Sequence, residues 1–190
     1  MWRGTNSIPS WSWQGCEGMS TTVEVFTAAQ KVALYVNDKL IGEQEVKDYV
    51  ASFENITYEP GMLKAVATDA NGKQHEQTLT SATGKVGISI EPEKDNYKSG
   101  ELAFVNINLV GENGIVESKA DRTLTVTVEG GELLGYGSQT LITEAAFLDG
   151  VYPTHYGQSQ AVVRALKPGN VMITVTGEGL ETAKKELIIK

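Results

Sequence analysis

Hydrophobic and polar positions alternate with a period of two along most of the chain. Leu63, Ala65 and Ala67 alternate with Lys64, Val66 and Thr68, the pattern of a strand with one buried face. Pro60-Gly61 ahead of them is a turn signal, because proline presets φ and glycine accepts a positive φ. Asn71-Gly72 behind them is a strong hairpin signal and predicts a partner strand returning through Gln74 to Leu79. Upstream, residues 32–36 and 40–46 flank a tight Asn37-Asp38-Lys39 turn, and a further strand is expected between Tyr49 and Thr57. Val23 and Val25 share one face of an opening strand at residues 21–26. Taken in order, these segments predict a meander of antiparallel strands ending near Thr80.

Ser81-Ala-Thr-Gly84 is short and rich in small residues, and a new strand starts at once, so the boundary and a hinge are expected there. Val86, Ile88 and Ile90 alternate with Gly87, Ser89 and Glu91. Ala103, Val105, Ile107 and Leu109 alternate with Phe104, Asn106, Asn108 and Val110, and Asn113-Gly114 turns the chain. Leu124, Val126 and Val128 alternate with threonines up to Gly130-Gly131. Residues 136–157 read as a long irregular connection, and Gly135-Tyr136-Gly137 as a turn. Segments 161–165, 171–176 and 183–189 read as closing strands, with a turn at residues 167–170. No segment sustains a 3.6-residue period, and turn signals recur at the spacing of a sandwich. The expected fold is all-β: two tandem immunoglobulin-like β-sandwich domains, residues 1–83 and 84–190.

Composition narrows the partners. The chain has 190 residues, enough for two small cores, with 21% charged and 41% hydrophobic residues. The net charge of −8 divides evenly, −4 on each side of Gly84 (six basic against ten acidic residues, then ten against fourteen). No basic footprint is present, so nucleic acid is not an expected partner. No apolar run reaches membrane-spanning length and no signal peptide is visible, so no membrane partner is expected. Cys16 is the single cysteine, which excludes an internal disulfide and a thiolate metal cluster. The compartment, cytoplasmic or secreted, stays open.

Catalytic constellations are missing. Glu43/Glu45 and Glu91/Glu93 are i, i+2 pairs that share a strand face and read as solvated positions. His75 lies just past a hairpin tip, and His155 stands in Tyr152-Pro-Thr-His-Tyr156; two isolated histidines make a poor metal site. Glu91, Glu93, Asp95 and Asn96 lack the spacing of a calcium loop. No Gly-x-Ser-x-Gly elbow and no phosphate loop between a strand and a helix appears. No cofactor is expected. Trp11 and Trp13 are the most suggestive residues. Aromatic faces stack on sugars and also dominate interfaces, while packing into a core or between domains is the more ordinary use of them. Set two apart on an extended segment, they are expected on one side, with Ser12 facing the other way.

Three stretches carry a resemblance: Trp11-Ser-Trp13, residues 32–42 (Val-Ala-Leu-Tyr-Val-Asn-Asp-Lys-Leu-Ile-Gly) and residues 58–67 (Tyr-Glu-Pro-Gly-Met-Leu-Lys-Ala-Val-Ala). They resemble the immunoglobulin-like domain that follows the catalytic barrel in many bacterial family 2 glycoside hydrolases, chiefly β-galactosidases. Gly135-Tyr-Gly-Ser138, Thr154-His-Tyr-Gly157 and residues 160–165 resemble the next C-terminal domain of those enzymes. The resemblance spans nearly the whole chain and rests on turns and core strands. It implies a bacterial, non-catalytic C-terminal accessory region whose parent is a retaining glycosidase acting on terminal β-galactosides. The implied partners are the catalytic barrel of the same parent chain and oligomer contacts. Met1 then stands at a cut in a longer protein, either native or added. On this reading at least one of Trp11 and Trp13 docks against the barrel. The runner-up is a carbohydrate-binding or adhesin-like module acting through its own surface.

Overall fold

The computed structural model describes residues 7–94, 96–140 and 146–190; Met1 and Asp95 of the sequence analysis lie outside them. Among the described residues every regular element is a strand. No helix is long and apolar enough to cross a membrane. The chain divides into two compact units, Met1–Ser81 and Ala82–Lys190. Ala82 and Thr83 thus go with the second unit, two residues ahead of the expected division. Their backbone explains it: the Glu112 N–H donates to Thr83 O, and the Thr83 N–H donates to Asn113 Oδ1.

The first unit holds β1 (Ser20–Phe26), β2 (Lys31–Val36), β3 (Lys39–Glu45), β4 (Val50–Thr57), β5 (Met62–Thr68) and β6 (Gln74–Thr80). They form a four-stranded sheet in the order β3-β2-β5-β6 and a two-stranded sheet of β1 and β4. The expected meander is therefore corrected. The chain leaves the first sheet after β3, pairs β4 with β1 on the other sheet, and returns to place β5 beside β2. The reason is the core. Val32 and Leu34 are fully buried and Ala51 and Phe53 lie over them in one cluster. A single flat meander would leave that inner face in water, at about 1.5–3 kcal/mol for each large side chain. Asn37 (φ 49) and Asp38 (φ 62) form the tight turn between β2 and β3, the left-handed pair that matches strand twist. Asn55 (φ 58) marks a bulge, since the β1–β4 register shifts beside it and the buried set moves from Ala51 and Phe53 to Ile56 and Tyr58.

The second unit holds β7 (Gly87–Pro92), β8 (Asn96–Tyr97), β9 (Leu102–Val110), β10 (Thr123–Glu129), β11 (Glu132–Gly137), β12 (Val151–Pro153), β13 (Gln158–Arg164), β14 (Gly169–Gly177) and β15 (Ala183–Ile189). Two sheets face each other, β12-β10-β14-β15-β8 and β11-β13-β9-β7. Ala103, Val105, Ile107 and Leu109 of β9 all point into one core, with Leu124, Ile173, Val175 and Leu187 from the opposite sheet. Two expectations are corrected. Gly135-Tyr136-Gly137 lies in strand β11, and the supposed irregular stretch also contains β12. Tyr136 points inward and is 1% exposed, while the glycines on either side of it leave the outer face bare.

Two buried tyrosines in this core contrast. Tyr136 OH lies 3.0 Å from Ser159 Oγ, which itself donates to Ile107 O at 2.9 Å. The serine's single proton is committed to that carbonyl, so the phenol is the donor to Ser159. Tyr152 OH is fully buried with no hydrogen-bond partner among the described residues. Removing a satisfied buried hydroxyl costs about 1 kcal/mol, whereas an unsatisfied one is itself a burden of about 1–3 kcal/mol. Tyr136→Phe is therefore expected to destabilise the second unit, and Tyr152→Phe to leave it unchanged or stabilise it, as read by urea denaturation. Burial raises the Tyr136 phenol above its ordinary pKa, with the Ser159 hydrogen bond acting in the opposite direction. The folded state thus favours the neutral phenol. Its contribution is present below the unfolded pKa of about 10 and is lost as pH rises through the higher folded value. The stability gap between wild type and Tyr136→Phe is expected to shrink above about pH 10.

Candidate functional site

Trp11 lies inside the first unit's own core, 3% exposed. Its ring meets Tyr58 edge to face, with centroids 5.0 Å apart at 72°. Its indole N–H donates to Glu59 O at 3.0 Å. The backbone of the same stretch is stitched down by side chains. Ser81 Oγ donates to Trp11 O and accepts the Gly61 N–H at 3.0 Å. Tyr58 OH stands 3.3 Å from Ser81 Oγ and accepts the Trp13 N–H at 3.0 Å. With the serine proton given to Trp11 O, Tyr58 supplies the proton between the two hydroxyls. Ser81, expected in a boundary linker, is 5% exposed and belongs to this network.

At 3% exposure Trp11 offers no open face for sugar stacking, and the docking expectation, which needs one of the two indoles, passes to Trp13. Trp13 packs against the same core but keeps part of its surface open. Ser12 is fully buried. The stretch holds one core tryptophan and one half-exposed one, where a shared open apolar side had been expected.

The remaining candidates stay apart. Glu43 and Glu45 are exposed on β3, with Glu43 4.0 Å from Lys31. Glu91 accepts from Ser89 Oγ at 2.6 Å, and Glu93 and His75 are exposed. No group of three or more His, Cys, Asp or Glu among the described residues could hold a metal ion.

His155 is half-buried and joins a groove of about 570 Å³ on the outer face of the sheet β11-β13-β9-β7. Asn106 and Asn108 of β9 and Gln158 and Gln160 of β13 supply its amides, and Phe147 also lines it. The strand register pairs Gln158 with Asn108 and Gln160 with Asn106. Asp121 Oδ1 accepts from Thr154 Oγ1 at 3.1 Å and from the Gly157 N–H at 2.8 Å, fixing the turn that carries His155. Tyr156 (φ 52) and Gly157 (φ 71) close that turn, with backbone hydrogen bonds in both directions between His155 and Gln158. The sequence reading passed over this groove because amides at alternate strand positions look like any solvated face. Only the register places four of them side by side.

Residues 88–186, more than half of the chain, match the family model for glycoside hydrolase family 2 C-terminal domain 5. The chain belongs to the C-terminal region of glycoside hydrolase family 2. Residues 18–76 match a domain of unknown function, DUF4982. Among curated relatives, a β-galactosidase of Bacteroides ovatus is 26% identical over 93% of this chain and 21% of its own length. A β-glucuronidase of Formosa agariphila is 26% identical over 95% of this chain and 19% of its own length. The chain thus spans about a fifth of these curated relatives. The crystal structure of a family 2 member from Bacteroides cellulosilyticus superposes with a TM-score of 0.84 at 25% identity, covering 96% of this chain and 24% of that one.

The burial difference between the two tryptophans of this family 2 region gives a direct test. Trp11→Ala is expected to destabilise the first unit by about 3–5 kcal/mol, as for a core aromatic. Trp13→Ala should cost clearly less. Ser81→Ala strands the Gly61 N–H and Trp11 O and should cost about 1–3 kcal/mol. Chemical denaturation of the three variants checks the order; equal, small losses for Trp11 and Trp13 would contradict the core assignment.

Proposed function

We propose that this chain is a non-catalytic accessory region of a bacterial family 2 glycoside hydrolase, and that its parent hydrolyses terminal β-galactosides with retention. In the parent it braces the catalytic barrel or mediates oligomer contacts. The observation that carries the reading is the match to family 2 C-terminal domain 5 over residues 88–186, together with a β-galactosidase aligned along nearly the whole chain. The architecture supports it. A retaining glycosidase needs two carboxyls about 5–5.5 Å apart across the scissile bond. In the resemblance these sit on the strand ends of a (β/α)8 barrel, a fold of about 250 residues with alternating helices. Two β-sandwiches supply neither the helices nor the strand-end funnel. Glu43, Glu45, Glu91 and Glu93, singled out in the sequence, are all exposed.

The choice of β-galactoside over β-glucuronide rests on the resemblance, since relatives of both kinds are equally identical to the chain. Substrate recognition belongs to the barrel on this reading, so the accessory region tolerates either. The purified chain, assayed with chromogenic β-galactoside and β-glucuronide, is expected to give the buffer rate. Turnover that co-purifies with the chain and disappears when one of its own carboxylates is replaced would overturn the proposal. Within the parent, deleting the region is expected to lower the melting temperature or change the oligomeric state. An unchanged melting temperature and assembly would remove the bracing role.

A further inference from the structure

We propose that the outer face of β9 and β13, together with Phe147, binds a neutral oligosaccharide. The inference adds a ligand to the accessory reading and does not depend on it.

The argument starts from the register. Side chains at alternate positions of neighbouring strands stand in rows across a sheet. One row here runs Ser89, Asn108, Gln158; the next runs Glu91, Asn106, Gln160, Gly137. The four amides therefore form a compact block on two adjacent strands. Gln160 Nε2 donates to Asn106 Oδ1 at 3.0 Å, which orients both groups. Asn106 keeps two N–H donors, and Gln160 keeps its carbonyl. A sugar ring offers vicinal hydroxyls that both donate and accept, and an oriented amide pair matches them in kind.

Gly137 ends the second row, and its missing side chain is used. A Cβ there would stand 2.4 Å from Phe147 Cδ1. The phenyl ring instead lies against the bare strand, held from behind by Tyr152 in a stacked contact of 5.1 Å and 15°. Phe147 remains 56% exposed. An exposed, fixed aromatic face beside an oriented amide floor provides an apolar contact for the C–H face of a sugar ring. His155, 4.3 Å from the Tyr156 ring, also lines the groove and offers a further polar edge.

Charge selects among occupants. None of the described lining residues is Asp, Glu, Lys or Arg, in a chain where 21% of residues are charged. Glu91, one strand further out in the same row, accepts from Ser89. A phosphate or uronate would find no cation to pair with, and a metal no cluster of carboxylates. A peptide strand needs a free sheet edge for its backbone ladder, whereas this groove lies on a face. An apolar protein surface would bury four amides against nothing, at about 1–3 kcal/mol for each group left unpaired.

The test is isothermal titration of the whole chain with β-1,4-galactotetraose, cellotetraose and xylotetraose, and with tetragalacturonate as the charged probe. Saturable binding of at least one neutral tetraose is expected, with a Kd on the order of 1 mM or tighter. Asn106→Ala/Gln160→Ala and, separately, Phe147→Leu should each weaken it about tenfold or more, with circular dichroism confirming that each variant is folded. Gln158→Ala is the second route if the double variant does not fold. The proposal is overturned if no neutral tetraose binds at about 10 mM. It is equally overturned if folded variants bind as wild type does, or if tetragalacturonate binds as well as the neutral probes. A sedimentation change with these variants in place of a binding change would assign the face to a second copy of the chain.

Discussion

Each unit turns on a buried tyrosine–serine hydroxyl pair that ends on a backbone carbonyl. In the first it is Tyr58, Ser81 and Trp11 O; in the second, Tyr136, Ser159 and Ile107 O. A sandwich satisfies its backbone through strand ladders, and wherever the chain covers the core without joining a ladder its polar atoms need other partners. The first unit is the sharper case. Four strands on one side face only two on the other. The stretch around Trp11 completes the cover, and no strand ladder holds it there. Side-chain hydroxyls therefore do for that stretch what a neighbouring strand does elsewhere. The direction of the protons follows: the serine gives its proton to the carbonyl, and the tyrosine gives its own to the serine. Breaking either hydroxyl exposes the same weakness, a buried carbonyl or N–H without a partner.

The two pairs differ in what they fasten. Ser81 lies at the end of the first unit and reaches back across the chain to Trp11 and to the turn at Gly61. That turn is clamped a second time from the turn between β2 and β3: the Asn37 amide donates to Pro60 O at 3.1 Å and accepts the Met62 N–H at 2.8 Å. The Pro60-Gly61 corner thus meets the ends of three segments. A Cβ at Gly61 (φ 129) would meet Asn37 Oδ1 at 2.0 Å, so glycine is required there by both conformation and space. Ser159, in contrast, sits within strand β13 and joins it sideways to β9 and β11, where ladders already hold the backbone. Its pairing with Tyr136 secures an aromatic in the core and adds little to the path of the chain.

Most strands were legible because one face of each is buried. Val105, Ile107 and Leu109, or Leu124 and Val126, could not be shifted by one residue without turning the core outward. The connection of strands was less legible. Period-two alternation says that a strand has an inner face but not which sheet supplies its neighbour, so β4 was placed beside β3 when it pairs with β1. Ser81 was read as linker because its burial comes from partners 70 and 20 residues away, which no local pattern records. Trp11 and Trp13 share a spacing and differ in burial: the chain turns directly after Trp13, where the Cys16 N–H donates to Trp13 O. Gly135-Tyr136-Gly137 reads as a turn in the sequence because it has neither the strand nor the helix of a phosphate loop around it. Its inward tyrosine was the contrary signal, since a large aromatic flanked by two glycines also describes a strand whose outer face is in close contact with something else.

On the outer face of β9, β11 and β13, surface chemistry and core packing occupy separate positions. Inward positions of these strands carry the core, so little freedom remains there. Outward positions contribute little to it, and amides at them neither build nor weaken the sandwich. The glycines of β11 are the exception, because glycine in a strand loses conformational entropy and packs nothing. That local loss is offset by a contact between elements: with Gly137 bare, the Phe147 ring reaches the sheet and lies on Tyr152, whose ring in turn stands 6.5 Å from Tyr136, edge to face. An aromatic chain thus runs from the core to the surface through Tyr136, Tyr152 and Phe147. It gives the exposed ring a rigid foundation that a loop phenylalanine ordinarily lacks. A pre-oriented aromatic beside pre-oriented amides loses less entropy when a ligand arrives, which is the physical reason to place recognition on this face of the second unit.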